Sequence, residues 1–403
     1  MSLQTHPHYQ TLLEKAKDSH HNGRSTTGIT NTDIAHARLY CHAFRIHTIG
    51  AFHATRIALE NIPVHDSQAA QFVEFSVDLL RDLADLGMDV IPENFRALIS
   101  TFHRYDRWIR KIDHYLKRSL ELEDNTNIRK TTKRFVEIME QITSCNGIFL
   151  TRDTEAPSQA SFVVPNLGIT IVPLVYGDYH SWNLAYLAGE HRNVPVHRHQ
   201  NGVEIHLGYP PINGITILGN NCSEVLEGYA MAIPPETDHG FINYSDEPHH
   251  VPFIFGSCIH GGWGVFLDVD AVSIQDDPWK RCSLSSDDMN NSVFLTRAIE
   301  NALQSGHQER TVLIDATQTH SEESGGLELA ITPISADPYS FQLDSFRAVS
   351  VVHGQGTVDI AGIKTNIGKH DHFGIPSNLS SSFVQSGAEP LVLLDSLLRR
   401  SAG

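Results

Sequence analysis

The spacing of apolar residues divides the chain into two parts. Up to about residue 145, apolar residues recur at intervals of three and four, and Pro63, Gly87 and Pro92 separate the periodic segments. That period is typical of amphipathic helices. The pattern therefore predicts a helical domain over 1–147, which ends at the Asn-Gly pair that begins at Asn146.

From Phe149 onward the chain consists of short segments rich in Val, Ile, Tyr and Thr, separated by Gly, Pro and Asn. Many short strands with turn signals between them indicate an antiparallel sandwich or barrel. A polar stretch, 274–292, interrupts the strands, and one short helical segment follows it. The predicted class is α+β, with two β domains over 148–275 and 290–403 after the helical one.

Composition and charge limit the partners of the chain. Its net charge of −17 argues against nucleic acid and anionic membranes, which both need clustered positive charge, and no apolar run is long enough to span a bilayer. No secretory signal is visible at the N-terminus. We therefore expect a cytoplasmic protein whose partner is a small-molecule substrate. Reduced thiols fit that compartment, because the chain has no CxxC pair among its five cysteines, Cys41, Cys145, Cys222, Cys258 and Cys282.

The stretch HRHQNGVEIHLGY, which begins at His197, carries the candidate chemistry. The chain has 25 histidines, so the pair of His197 and His199 is not specific by itself. On a strand, residues two apart share a face, as these two histidines do, and as Glu204 and His206 do on the next strand. His239 arrives from a distant strand after a turn that contains proline. Three imidazoles and one carboxylate in a small barrel suit one divalent Fe, Mn, Zn, Ni or Co ion, with positions open for substrate.

These residues and their neighbours resemble the two signature motifs of the cupin superfamily, G-x5-H-x-H-x4-E and G-x5-P-x-G-x2-H-x3-N. The first motif would cover His191, His197, His199 and Glu204, and the second Gly228, Pro234, Glu236, His239 and Asn243. His191 and Glu236 stand where the family has glycine, which affects turns and not ligands. The resemblance implies jelly-roll barrels and a metal held by His197, His199, Glu204 and His239.

The second β domain resembles a cupin barrel that lacks these ligands. The family's late G-x-G turn and its proline fall on Gly354, Gly356 and Pro376. Aligned on these residues, the four ligand positions hold Ser340, Gln342, Arg347 and Ser381. The resemblance therefore implies a bicupin with one metal-binding barrel. We expect His370 and His372, on the other side of the proline, to be solvent-exposed loop histidines.

Cupin barrels host many chemistries, so three classes of function stay open. The first, favoured by a similarity of PFIFGSCIHGGWGVFLDVDAV to the bicupin uronate isomerases, is a metal-dependent isomerase or epimerase of a sugar-like or uronate substrate. In it, Glu204 or His206 would move a proton between carbons. The second is a non-haem Fe(II) dioxygenase, or a related lyase, that acts on a small organic acid or enol. The third is a non-enzymatic ligand-binding cupin.

The helical region contains one basic segment, FHRYDRWIRKIDHYLKR. We expect an amphipathic helix with a solvated basic face, and the alternative is a cover over the barrel that supplies cations to an anionic substrate. Uncovered β edges tend to pair, so a homodimer through barrel edges or through the helical domain is a further expectation.

Overall fold

The structure, a computed structural model, describes most of the chain beyond residue 149. Arg104, Arg107, Arg110, His114 and Lys117 are also described, and all five are helical. The rest of the predicted helical domain lies outside the described residues. No helix among the described residues is long and apolar enough to cross a membrane. The described ranges are 150–152, 162–164, 169–177, 179–187, 193–209, 214–219, 221–223, 228–243, 249–259, 270–271, 292–321, 325–341 and 344–400.

The described residues of the basic segment lie on one side of their helix. They follow one another at intervals of three or four, so they share a face. All except Arg104 are exposed. This exposure agrees with a basic face turned to solvent.

Beyond residue 149 the regular elements of the described ranges are β-strands, apart from one helix and one 3-10 turn. The strands up to the middle of the chain are β1 (Thr151–Arg152), β2 (Phe162–Val164), β3 (Ile169–Tyr176), β4 (His180–Leu187), β5 (Asn193–Arg198), β6 (Val203–Leu207), β7 (Gly214–Leu218), β8 (Asn221–Ser223), β9 (Tyr229–Ile233), β10 (His239–Asn243), β11 (His249–Gly256), β12 (Asp270–Ala271) and β13 (Ser292–Phe294). Helix α1 (Leu295–Ser305) follows, and a 3-10 turn (Ala316–Gln318) comes after β14. The later strands are β14 (Thr311–Ile314), β15 (Gly326–Ile334), β16 (Arg347–His353), β17 (Gln355–Ile360), β18 (Ile363–Gly368), β19 (Asp371–Ile375), β20 (Ser381–Gln385) and β21 (Leu391–Arg399).

These strands form two barrels of two sheets each, which confirms the predicted pair of cupin-like β barrels. The first barrel has a seven-stranded sheet, in the order β13-β9-β6-β11-β4-β3-β2, and a five-stranded sheet, β12-β5-β10-β7-β8. The second has a six-stranded sheet, β1-β19-β16-β21-β15-β14, and a three-stranded sheet, β18-β17-β20. The long neighbouring strands pair antiparallel, and both barrels lie in one compact unit of the chain.

Each barrel includes a short strand from the stretch assigned to the other. Strand β1 joins the second barrel, where Thr151 pairs with His372 of β19. Strand β13 joins the first barrel, where Val293 pairs with Ala230 of β9. Because an open sheet edge presents unpaired backbone groups, each exchanged strand covers an edge and links the barrels.

The main apolar core lies between the two large sheets. All five residues of β6 are buried, and Val203, Ile205 and Leu207 belong to a core cluster that includes Leu329 and Leu394 of the second barrel. Alternation along the strand then turns its remaining residues toward the inside of the first barrel. Strand β6 therefore presents core residues on one face and its two polar side chains on the other.

A buried histidine also ties the two barrels together. Nε2 of His180, on β4, lies 3.1 Å from the carbonyl oxygen of Ser396 on β21, so this nitrogen donates its hydrogen to the carbonyl. Burial lowers the pKa of His180 to about 4, although the Ser396 carbonyl favours the charged ring. Arg347 adds to the lowering by repulsion.

We expect acid to weaken this link between the barrels. The pKa of about 4 in the fold lies below the ordinary 6.5, so the stability is complete above pH 6.5 and is lost as the pH falls toward 4. Between about pH 7.5 and about pH 4.5 the loss amounts to roughly 2–3 kcal/mol. Urea unfolding at both pH values measures the free energy of unfolding. Its decrease between the two pH values should be smaller in His180→Phe than in the wild type, by the amount just given. The control His353→Gln, at a half-buried position on β16, should keep the wild-type dependence, and an unchanged dependence in His180→Phe would contradict the assignment.

Candidate metal centre

The first barrel brings together the four residues that the sequence predicts as ligands. His239 is the first residue of β10 and pairs with His197 near the end of β5, while His199 directly follows β5 and Glu204 lies in β6. One ligand atom from each residue lies within 4.8 Å of the others. Each of the four residues is at most 5% exposed. Three imidazoles and one carboxylate thus converge at a buried point.

Both oxygens of Glu204 are approached by imidazole nitrogens. Nε2 of His199 lies 3.0 Å from Oε1, and Nε2 of His239 lies 3.1 Å from Oε2. Nε2 of His206 also lies 3.0 Å from Oε2. The carboxylate is therefore the centre of the cluster.

Two of the rings are oriented by backbone carbonyls. Nδ1 of His197 lies 2.8 Å from the oxygen of Pro195, and Nδ1 of His239 lies 2.8 Å from the oxygen of Thr237. Since a carbonyl only accepts, each Nδ1 must carry a hydrogen, and the neutral ring then has its lone pair on Nε2. Burial lowers the pKa of both rings, and that of His197 falls well below its usual value with repulsion from His239 and His199. Both rings are therefore neutral donors of an electron pair.

This donor set fits a metal cation. Burial alone would raise the pKa of Glu204, but the neighbouring imidazoles, first of all His199, outweigh it and hold the pKa well below its usual range. An ionised carboxylate oxygen and the Nε2 lone pair of His239 thus face each other at 3.1 Å. Two electron-pair donors repel at that distance unless a cation lies between them, and this set of ligands suits a single divalent first-row metal.

Glycine and a strained turn shape the backbone around the ligands. A Cβ on Gly202 would lie 2.3 Å from the ring of Phe255, which itself contacts the ring of His199 with centroids 4.9 Å apart. Glu236 has a φ of 60°, in the left-handed region, and its backbone nitrogen donates to the oxygen of His199 at 2.8 Å. The cupin motif has glycine at this position, and the observed φ explains that preference.

His206 lies beside the four-residue cluster. It is buried on β6, and its ring contacts Phe253 edge to face with centroids 6.4 Å apart. Because a carboxylate only accepts, Nε2 of His206 donates its hydrogen to Glu204. The other ring nitrogen, Nδ1, is buried and has no hydrogen-bond partner among the described residues. Nδ1 of His206 therefore has a lone pair, next to the centre, that accepts no hydrogen bond from the described residues.

Sequence reasoning missed the aromatic walls and the orienting carbonyls. Phe253 and Phe255 both lie on β11, opposite His206 and Glu204. Their spacing of two was the available signal, because it places them on one face of a predicted strand. Nothing in the sequence indicates the roles of the Pro195 and Thr237 carbonyls, because every residue has a backbone oxygen.

The second barrel has a guanidinium where the first has its carboxylate. Arg347 pairs with Ile375 of β19, as Glu204 pairs with Ile233 of β9. Ser381 begins β20, as His239 begins β10. Of the other two aligned positions, Ser340 is exposed and Gln342 lies outside the described residues. Among the described residues, the only group suited to a metal is the one in the first barrel.

A buried ionic network occupies the interior of the second barrel. Asp395 forms ion pairs with Arg347 and with Arg310, whose Nη2 lies 2.8 Å from Oδ1. The same guanidinium lies 2.7 Å from Glu328. Arginine thus compensates the buried carboxylates of this barrel without any metal ligand.

The expectation that His372 is a solvent-exposed loop residue is wrong. His372 lies in β19, is 4% exposed and contacts the ring of Trp182 with centroids 5.9 Å apart. The physical reason is that β1 and β16 flank β19, so this strand is interior to its sheet. His370 is half-buried in the turn before the strand, with a φ of 79°.

Comparison with known proteins gives distant structural similarities only. No model of a protein family matches the chain, and no curated protein matches its sequence. A salicylate 1,2-dioxygenase from Pseudaminobacter salicylatoxidans is similar in structure at 15% identity and a TM-score of 0.42, over 54% of this chain and 70% of that one. A point mutant of that enzyme in complex with gentisate is similar at 12% identity and a TM-score of 0.43, over 54% and 68%. A Cupin 2 conserved barrel domain protein from Leptotrichia buccalis is similar at 12% identity and a TM-score of 0.39, over 57% and 89%.

The observed fold and site agree with the resemblance seen in the sequence. Antiparallel barrels with three histidines and a glutamate buried inside one of them fit a cupin.

We expect the carboxylate of Glu204 to be required for metal binding. Glu204→Gln keeps the shape of the side chain but removes the negative charge, so natively purified variant should contain on the order of tenfold less metal per chain than the wild type. Elemental mass spectrometry measures this content. The control His353→Gln should keep the wild-type metal, and full metal content in Glu204→Gln would show that the cluster is not the site.

Proposed function

We propose that the first barrel is the active site of a non-haem Fe(II) dioxygenase that acts on a small aromatic or enolic organic acid. The sequence favoured an isomerase of sugar-like substrates over this alternative. The apolar lining around the histidine and glutamate cluster is the observation that reverses the order. Three imidazoles and a carboxylate also suit a ferrous ion with open positions for two further ligands.

The side chains that form the walls next to the cluster are apolar. Phe253 and Phe255 contact the histidine rings on one side, and Ile233 and Met231 lie opposite Glu204 and His206 on the neighbouring strand. All four side chains are buried. Such walls favour a flat apolar substrate over a polyhydroxylated one.

The polar side chains that share this face of the sheet bond to one another. Ser181 and Asn183 of β4 pair with Phe255 and Phe253 of β11. The hydroxyl of Tyr176 donates to Oδ1 of Asn183 at 2.8 Å, and Nδ2 of Asn183 donates to Oγ of Ser181 at 2.9 Å. A sugar would need several hydrogen-bonding groups here, and these are already occupied with each other.

In this proposal, His197, His199, Glu204 and His239 hold the ion. The bound ion would supply Lewis acidity toward the substrate and the redox chemistry with dioxygen. The phenylalanine rings exclude water from the reacting groups, which strengthens every electrostatic interaction among them. Nδ1 of His206 accepts a proton from a hydroxyl of the substrate, while Glu204 holds the other end of the ring in place.

One observation keeps the isomerase as a second candidate. The hydrogen bond between His206 and Glu204 places a proton-carrying pair next to the ion, and an isomerase needs such a pair to move a proton between carbons. Zinc, manganese, nickel or cobalt would then replace iron. The other predictions from the sequence are part of this proposal: a small-molecule substrate, a location in the cytoplasm and assembly as a homodimer. The same holds for the division of the β region into domains 148–275 and 290–403.

The decisive experiment is oxygen consumption by protein loaded anaerobically with Fe(II). We expect uptake with members of a panel of hydroxylated aromatic and enolic acids, and none with aldoses, ketoses or uronates. Glu204→Gln treated in the same way should consume no oxygen. If no acid supports uptake, and manganese- or zinc-loaded protein interconverts sugar acids, the dioxygenase proposal is wrong and the isomerase takes its place.

A variant of His206 separates proton transfer from metal binding. His206→Gln retains a donor to Glu204 but has no basic nitrogen, so it should keep its iron and lose roughly 100-fold or more in kcat. Iron content and steady-state oxygen uptake measure the two quantities on the same sample. An unchanged kcat, or a loss of iron in proportion to the activity, would mean that His206 is not the proton acceptor.

A further inference from the structure

A small cavity lies between the two barrels, on the core side of β6. Trp182 and Leu207 line it from the first barrel, and Lys369, His370 and His372 line it from the second. Its volume is about 30 Å³. A cavity of that size holds one or two water molecules or a single small ion.

The polar groups of this cavity are those that attract an anion. Lys369 and the two histidines contribute cationic or hydrogen-donating groups, and none of the described residues that line the cavity has a carboxylate. The nearest acid in sequence, Asp371, is engaged elsewhere, because Oδ1 accepts from Arg152 at 2.7 Å and Oδ2 from the backbone of Gly368 at 2.8 Å. The described lining therefore carries one cationic side chain, Lys369, in a chain whose net charge is −17.

One buried donor beside the cavity lacks an acceptor. Trp182 is 1% exposed, and its Nε1 has no hydrogen-bond partner among the described residues. A buried N–H group without an acceptor costs about 1–3 kcal/mol. An acceptor held in the adjoining cavity would remove that cost.

We propose that this cavity binds one small monovalent anion, of the size of chloride, bromide or formate. The indole N–H of Trp182 donates to the anion, and the ammonium group of Lys369 compensates its charge. The site uses none of the metal ligands, so it does not depend on the proposed reaction. A free inorganic anion and the carboxylate of a larger organic acid share this chemistry, and the latter would leave its body outside the cavity.

The test follows thermal unfolding of the full-length, metal-loaded protein over a series of sodium bromide concentrations, with the variants Trp182→Phe and Lys369→Met as the reference. Binding to the folded state alone raises stability with anion concentration in a saturable way. We expect this rise with bromide and with formate. If benzoate also raises the stability, the carboxylate group of an organic acid is an occupant of the cavity. If only bromide and formate raise it, the occupant is a small free anion.

Two variants locate the effect. Trp182→Phe keeps an aromatic ring without the N–H, and Lys369→Met removes the charge from an exposed position that does not endanger folding. Each should weaken the apparent affinity for bromide by on the order of tenfold, the equivalent of one lost charge-assisted hydrogen bond. The matched control Lys364→Met, at an exposed position on β18, should bind bromide as the wild type does.

Anomalous diffraction from crystals soaked in bromide gives an independent result. The proposal requires a bromide peak at hydrogen-bond distance from Nε1 of Trp182. A peak absent from the cavity, or bromide stabilisation that is equal in the wild type and in both variants, would show that the cavity holds water and would overturn the proposal.

Discussion

The repulsion between an ionised carboxylate and an imidazole lone pair governs the centre of the first barrel. Glu204 faces Nε2 of His239 at 3.1 Å, and the carbonyl of Thr237 fixes the hydrogen of that ring on Nδ1. No rearrangement of protons on a neutral ring relieves the contact as long as this backbone bond persists, so either a metal ion between the two atoms or a second proton on the ring must do so. The carbonyls thus set the tautomers before any metal arrives. A barrel that merely happened to contain several histidines would not need such orientation.

The second barrel shows the other way in which this fold can compensate a buried carboxylate. Asp395 is fully buried, and the guanidinium groups of Arg347 and Arg310 supply the positive charge that an ion would supply in the first barrel. Removal of one member of such a network leaves an uncompensated buried charge, so the network is retained as a unit. Since Arg347 occupies the register position of Glu204, the charge at this strand position has opposite sign in the two barrels, and the histidines of the first barrel are likewise absent from the other aligned positions of the second.

Sequence patterns predicted the parts of this structure that depend on local spacing. The alternation of residues on β6 correctly placed Glu204 and His206 on one face, and the ligand spacing led to the buried cluster. They failed where a distant strand decides burial. His372 belongs to an interior strand only because β1, more than two hundred residues earlier, pairs with it, and no local pattern encodes that pairing. The tautomers were equally inaccessible, because they depend on which carbonyl a ring meets after folding.

Strand β6 belongs both to the candidate metal centre and to the core between the barrels. One of its faces carries Glu204 and His206 into the first barrel, and the other packs Ile205 and Leu207 into the core between the barrels. A close-packed core holds a strand more rigidly than a solvated sheet face would, so the distances around Glu204 are maintained by residues that take no part in the chemistry. The cavity beside Leu207 lies in that same support. Leu207 thus belongs both to the core that holds β6 and to the lining of the cavity.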